Sequence, residues 1–330
     1  MLRRRLLGAI PVIIGMSFIV FMLMHLAPGD PVTLLLGEEA DEIDIQQTRE
    51  EWGLDKPILV QYWEFLRHAA RGDFGVSLRY RVNVSTLVLE RLPATLELAL
   101  GSMLVAILIS VPIGVYSAIK HNSLWDHSGM GLALIGVSLP NFWLGIMLIF
   151  FLGGQLNLLP VAGRIGYGIQ VPPITHLYLV DTLLHGNLDA FWSVLRHMLL
   201  PAITLGTSLA AIVTRISRSS VLEVIQQDYI TTARAKGLSE GRVIWKHTLR
   251  NAMITIVTIL GLQLGALLSG SVITETVFSW PGIGSLLVQA ISTRDYKLAQ
   301  GVIFFFAMMY FVVNLLVDLF YMLVDPRIKL

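Results

Sequence analysis

Ser208 lies in Gly206-Thr-Ser-Leu-Ala210, a partial match to the Gly-x-Ser-x-Gly turn that presents a nucleophilic serine in hydrolases. Such a serine needs a histidine and a carboxylate beside it, and this stretch is apolar with neither nearby in sequence, so close helix packing by small residues is the better reading. The 8 histidines are scattered without metal-ligand spacing, and there is no His-Glu-x-x-His. With no cysteine, thiol chemistry, disulfides and soft metal sites are excluded. No Gly-x-x-x-x-Gly-Lys-[Ser/Thr] cradle is present, which removes the P-loop route to ATP hydrolysis. What remains is a set of polar residues inside apolar runs (Asn141, Gln263, Asn314 and Asp318) and a basic segment, 228–253, between two apolar runs. Polar groups at membrane depth mark pathways or helix contacts. Gln263, in GLQLGALLSGS, suits either role, and Asp318 stands close enough to the chain end to pair with Arg327 or a helix cap.

The elements that carry these residues are set by composition. Over 330 residues, 55% are hydrophobic and 14% charged, more apolar surface than a soluble core can hide. A formal net charge of +1 gives no reason to expect nucleic acid as partner. Apolar runs at about 6–25, 98–119, 130–153, 198–214, 252–274 and 298–324 approach the roughly 20 residues that a helix needs to cross a bilayer. The expectation is an all-α integral membrane protein of six transmembrane helices, with Pro11, Pro112, Pro140 and Pro201 as ends or kinks. The short fourth run is expected to continue through RISRSS into water. The first run follows Arg3 to Arg5 but is too long for a signal peptide and lacks a small-x-small cleavage site, so it reads as a retained helix. With the N-terminus inside, inner segments hold 13 of the 24 lysines and arginines, and most of the rest lie in one long outer loop, where the positive-inside rule is weak. Both termini are therefore expected in the cytoplasm.

On that topology segment 228–253 is cytoplasmic. Asp228 reads as an N-cap, Tyr229 to Lys236 as a short helix, Gly237 as a left-handed terminator and Ser239 as the cap of a second helix, which together make a helical hairpin. Periodicity alone leaves open a solvated loop. Glu275 to Gly284, ETVFSWPGIG, follows the fifth helix, and Pro281, Gly282 and Gly284 force irregular backbone, tolerated at membrane depth only inside protein or along a cavity. Glu275, Ser279, Trp280, Pro281 and Gly282 are accordingly candidates for an outer gate, with Asn141 and Gln263 as further pathway candidates. The domain reading is 1–26 as the first helix, 27–97 as an outer lobe with amphipathic helices in DIQQTREEWGL and ILVQYWEFLRHAA, and 98–330 as a five-helix core with a loop at 215–253. The lobe either receives a partner or shields the pore. A second outer loop, 156–197, is expected over the pore entrance.

DYITTARAKG followed by HTLRNAM resembles the EAA loop of binding-protein-dependent ABC transporter permeases. Thr231, Thr232 and Ala233 stand at the Glu-Ala-Ala places, Gly237 at the glycine and Leu249 at the leucine, while Arg250 replaces the proline. These departures resemble the dipeptide/oligopeptide branch. So do HLAPGDP, GLDKPILVQYWEFLRHAARGDFGVSL, RLPATLELALG, LPAITLG, ETVFSWPGIGSLLVQAISTRDY and DPRIKL, in order along nearly the whole chain. The resemblance implies a non-catalytic permease subunit in a bacterial inner membrane, half of a pathway completed by a second permease. It also implies two cytoplasmic ATPases that bind ATP and Mg, an extracytoplasmic binding protein, and a peptide as substrate. Nickel complexes and glutathione are alternatives on the same architecture. Asp228, Tyr229, Thr231, Thr232, Ala233, Arg234, Ala235, Lys236, Gly237 and Leu238 would form the surface coupled to the ATPase. A self-sufficient secondary transporter would need paired intramembrane carboxylates or a duplicated half, and the sequence has neither.

Overall fold

The computed structural model describes residues 11, 14–19, 21, 22, 25, 26, 32, 33, 41–51 and 53–324; within these, the side chains of 51, 269, 270, 318 and 320–324 are left aside. Twelve helices can be named: α1 (Glu42–Glu51), α2 (Ile58–Ala69), α3 (Val84–Ile119), α4 (Leu124–Ser138), α5 (Asn141–Leu148, widening into π turns at Ile149–Gln155), α6 (Tyr178–Leu184), α7 (Leu188–Ile225), α8 (Asp228–Ala235), α9 (Glu240–Arg242, with π turns at Val243–Thr248), α10 (Leu249–Val277), α11 (Ile283–Ser292) and α12 (Tyr296–Val324). Among the described residues the only extended pairing is an isolated antiparallel bridge between Val76 and Asn83.

Val84–Ile119, Leu188–Ile225, Glu240–Leu268 and Tyr296–Val317 are long and apolar enough to cross a membrane, and α4 with α5 makes a fifth span if that bent pair is one. Half of the sixth expected span, 6–25, falls outside the described residues. The 36 residues of α3 and the 38 of α7 measure about 54 and 57 Å at 1.5 Å per residue, well beyond a hydrocarbon core of roughly 30 Å. Each is longer than a span requires, and α7 continues through RISRSS as expected.

Two expectations need correction. α3 begins at Val84, inside the stretch assigned to the outer lobe, because the charges that masked it, Glu97 above all, are accommodated within the fold. The single helix expected at 130–153 is two, bent by 100°. Leu139 ahead of Pro140 is extended at φ −85°, ψ 127°, since the proline ring disfavours helical geometry in the residue before it. By contrast, Pro112 and Pro201 end nothing; both lie within helices.

The chain divides into two compact units: described residues up to Pro93 with Gly282–Val312, and Ala94–Pro281 with the end of α12. The larger unit is built on Leu98 and Ala106 of α3, Leu205, Leu209 and Val213 of α7, Ile256 and Leu260 of α10, and Trp280. There α3 and α7 approach to backbone distance: a β-carbon on Gly206 would stand 2.7 Å from the Ser102 carbonyl oxygen, and one on Gly114 2.8 Å from that of Thr214. Small residues in GTSLA thus serve helix packing. The smaller unit packs Phe74, Val84, Leu87, Ile283, Leu286, Leu298 and Val302 together. In it buried Asp295 caps the start of α12 through the Leu298 amide (3.1 Å) and holds the 77–80 turn through the Ser77 hydroxyl at 2.5 Å.

Candidate gate and coupling hairpin

The basic segment folds as a hairpin. Gln227, extended at ψ 145°, precedes α8, so Asp228 is the first helical residue and not the N-cap. Its carboxylate still sits at the positive end of the helix dipole. α8 ends where the Gly237 amide donates to Arg234 O (2.9 Å) and the Leu238 amide to Ala233 O (3.3 Å), with Gly237 at φ +78°. This pairing is a Schellman motif, which requires a left-handed residue at the glycine position. Ser239 precedes α9 as expected but makes no side-chain cap. Ile230, Ala233 and Val243 are buried against Ile225 and Leu238. The opposite face, Asp228, Tyr229, Thr231, Thr232, Arg234, Ala235, Lys236 and Gly237, is exposed. Arg234 closes the hairpin onto Glu240 at 2.8 Å, an exposed pair that adds little stability. Asn251 donates to the Tyr229 hydroxyl at 2.9 Å.

The segment after α10 is held firmly. α10 ends at Val277, and Ser279 takes a left-handed φ of 50°. Trp280 is fully buried, its indole N–H donating to Ala94 O at 2.8 Å and its amide to Glu275 O at 2.7 Å. Glu275, also fully buried, accepts from the Thr95 hydroxyl at 2.8 Å. Phe278 O accepts from the Gly163 amide at 2.9 Å. The side chains of Glu275 and Trp280 are therefore fixed to Ala94 and Thr95, about three turns into α3, and the Phe278 carbonyl to the 156–177 loop. The irregular backbone is confined to 278–282; Gly284 already lies in α11, for which Gly282 is the preceding extended residue. Asn141 opens α5, and its side-chain oxygen accepts from Ser208 of α7. Gln263 is half-buried on α10, 12 residues or about 18 Å of helix from Glu275, so it is not brought to this cluster. Asn314 is half-buried on α12, and the side chain of Asp318 lies outside the described set.

Two charged clusters here escaped sequence reasoning. Glu97 and Arg164 form a buried pair, with side chains 4% and 6% exposed and contacts of 2.6 and 2.8 Å. The other carboxylate oxygen accepts from the Leu179 amide at 2.7 Å, and the guanidinium donates to His176 O while covering the Tyr178 ring at 3.8 Å. Its only signal in sequence is an isolated acid at the start of an apolar run. Asp126 and Arg218 make a bidentate pair at 2.6 and 2.7 Å that ties the start of α4 to α7. In the loop, buried Asp181 accepts from the Thr175 amide and hydroxyl and from the Ile174 amide. Burial pushes its carboxyl up, but these bonds and one from His176 together bring it below the usual carboxylate range.

The family model described as "Binding-protein-dependent transport system inner membrane component" matches residues 110–330, and its N-terminal companion model matches 1–99. The chain belongs to this family. The dipeptide transport system permease protein DppB of Escherichia coli (strain K12) is 45% identical, with 99% of this chain and 97% of the relative aligned. The di/tripeptide permease DppB of Pseudomonas aeruginosa (strain UCBPP-PA14) is also 45% identical, over 99% and 97%. The glutathione permease GsiC of Salmonella choleraesuis (strain SC-B67) is 40% identical, over 99% and 97%. Among solved structures, the MetNI methionine ABC transporter in an inward-facing conformation matches with a TM-score of 0.56 at 17% identity, covering 72% of this chain and 96% of that one. That likeness concerns the fold alone. The permease is thus a membrane subunit of an ABC importer, and its helices with exposed Leu104, Leu108, Leu132 and Leu134 are those of a chain solvated by lipid or by another subunit.

Proposed function

We propose that this permease forms half of the pathway of an ATP-driven importer of di- and oligopeptides. A second, related permease completes the pathway, two cytoplasmic ATPases bind ATP and Mg and supply the energy of hydrolysis, and an extracytoplasmic binding protein delivers the substrate. The supporting observation is 45% identity to a dipeptide permease along the full length, above the 40% to a glutathione permease. The exposed, glycine-tipped hairpin around Gly237 is the surface that seats in an ATPase groove, and both termini are cytoplasmic. Residues 275–282, with Asn141 and Gln263, line or gate the route, and the clasp of Trp280 on Ala94 is one state of that gate. The test is uptake into proteoliposomes holding the complete complex: a labelled dipeptide accumulates with ATP, whereas accumulation of glutathione alone would replace the peptide assignment.

A further inference from the structure

In the smaller unit α2 packs beside the first apolar run, and at a particular depth. The Tyr62 hydroxyl donates to Ile14 O at 2.8 Å and lies 2.9 Å from the Ser17 hydroxyl; neighbouring Gln61 meets His25 at 2.9 Å. The Phe18 ring meets Tyr62 edge-on at 5.1 Å, and Phe21 lies tilted against Tyr62 at 5.3 Å and reaches Phe65 at 6.3 Å. The partners of α2, from Ile14 to His25, reach from about the middle of the 6–25 run to its end, so α2 sits alongside the half of the run nearer His25. If the run spans a core of roughly 30 Å, the helix lies well within its outer half.

The chemistry of α2 suits that depth. Its inward face buries Tyr62 and Ala69, yet the flank beside that face in its first two turns is also apolar: Leu59 is 71% and Trp63 67% exposed, with Ile58 and Val60 exposed near them. The polar side chains of these turns are satisfied locally. Gln61 donates to Lys56 O and Leu54 O, and Glu64 pairs with Lys56 at 2.8 Å. Beyond that exposed pair the charges gather at the end, where Arg67, His68 and Arg71 are exposed. A short helix with exposed apolar side chains in its first turns, cations at its end and an outward tryptophan is what the boundary between acyl chains and headgroups favours.

We infer that α2 is a membrane-embedded interfacial helix whose Leu59 and Trp63 face contacts lipid, so that part of the segment between the first two spans lies in the bilayer. The lipid contact rests on the membrane reading but not on the transported solute. The chain has no cysteine, so Leu59→Cys and Trp63→Cys, with Gln46→Cys on α1 as a water-exposed reference, can be spin-labelled in the complete complex with cysteine-free partners in liposomes. Lipid contact makes the labels at 59 and 63 accessible to oxygen and inaccessible to a water-soluble nickel chelate, with the reverse at 46. Exclusion of both quenchers at 59 and 63 would assign the face to the second permease. Nickel access that disappears on adding the binding protein would assign it to that protein. Either result overturns the inference. Loss of brominated-lipid quenching in Trp63→Phe, against the unmodified permease, is expected to confirm it without a label.

Discussion

Replacing Gly237 separates backbone strain from docking. A residue with a β-carbon at φ +78° carries about 1–2 kcal/mol of strain, set against a stability of roughly 5–15 kcal/mol for a folded domain. No atom lies within 4 Å of where that β-carbon would stand, so within this chain Gly237→Ala and Gly237→Arg differ little. Both are expected to insert and to retain the hairpin, with the turn less populated by a factor of about 5–30. In the complex they diverge. Gly237→Ala is expected to lower uptake and binding-protein-stimulated ATPase activity while keeping both measurable, and Gly237→Arg to abolish both, because a guanidinium cannot share a groove that fits bare backbone. Gly241→Ala is the control, since its surroundings are equally open and its φ is not left-handed. The assay is ATP hydrolysis and uptake in proteoliposomes, with insertion followed by protease protection. Equal activity of Gly237→Ala and Gly237→Arg would show that the tip docks nowhere, and failure of either to insert would make the glycine structural.

Arg164→Met strands the buried Glu97 carboxylate with one amide partner and is expected to cost about 3–5 kcal/mol, seen as a fall in melting temperature in mild detergent; adding Glu97→Gln should restore much of it, and an unchanged melting temperature would contradict the pair. Because the Asp181 carboxyl is held below its usual range, its contribution is complete above the unfolded pKa of about 3.9 and is lost as pH falls through the lower folded value. Protection of the 174–181 loop from proteolysis should therefore hold from neutral pH down to about pH 4 and fail only below, and Asp181→Asn should remove that transition. A reporter fused after Arg242 should behave as cytoplasmic and one near Arg71 as lying beyond the span, a pattern whose reversal would overturn the orientation.

What could be read from the sequence was local. Gly237 was legible because a left-handed terminator needs only its own neighbours, and the Schellman bonds to Arg234 and Ala233 confirm the turn. The bend at Pro140 was half legible: the proline was noted as an end or kink, but the apolar run continues through it, so composition suggested one span. Asp228 was misplaced by a single position because Gln227 adopts the cap conformation without a capping side chain. The span boundaries failed where a charge lay inside an apolar helix, since a hydropathy window treats Glu97 as the edge of a segment.

Neither ion pair leaves a local mark, because the partners are 67 and 92 residues apart. Both bear on the orientation, which rests on counting lysines and arginines by side. Arg218 was counted as an inner charge, yet it is neutralised by Asp126; Arg164 was counted as an outer one, yet it is neutralised by Glu97. Arg234 on the inner side is likewise paired with Glu240 and Lys56 on the outer side with Glu64, so each side loses two cations and the excess on the inner side is unchanged. The remaining inner charges include Lys236 and Arg242, both exposed on or beside the hairpin, and exposed cations near span ends are the kind that set topology. The outer cations sit mostly in the long first loop, where the rule is weak. The structure therefore leaves the orientation resting on the same hairpin that is proposed to meet the ATPase, and the reporter fused after Arg242 examines both at once.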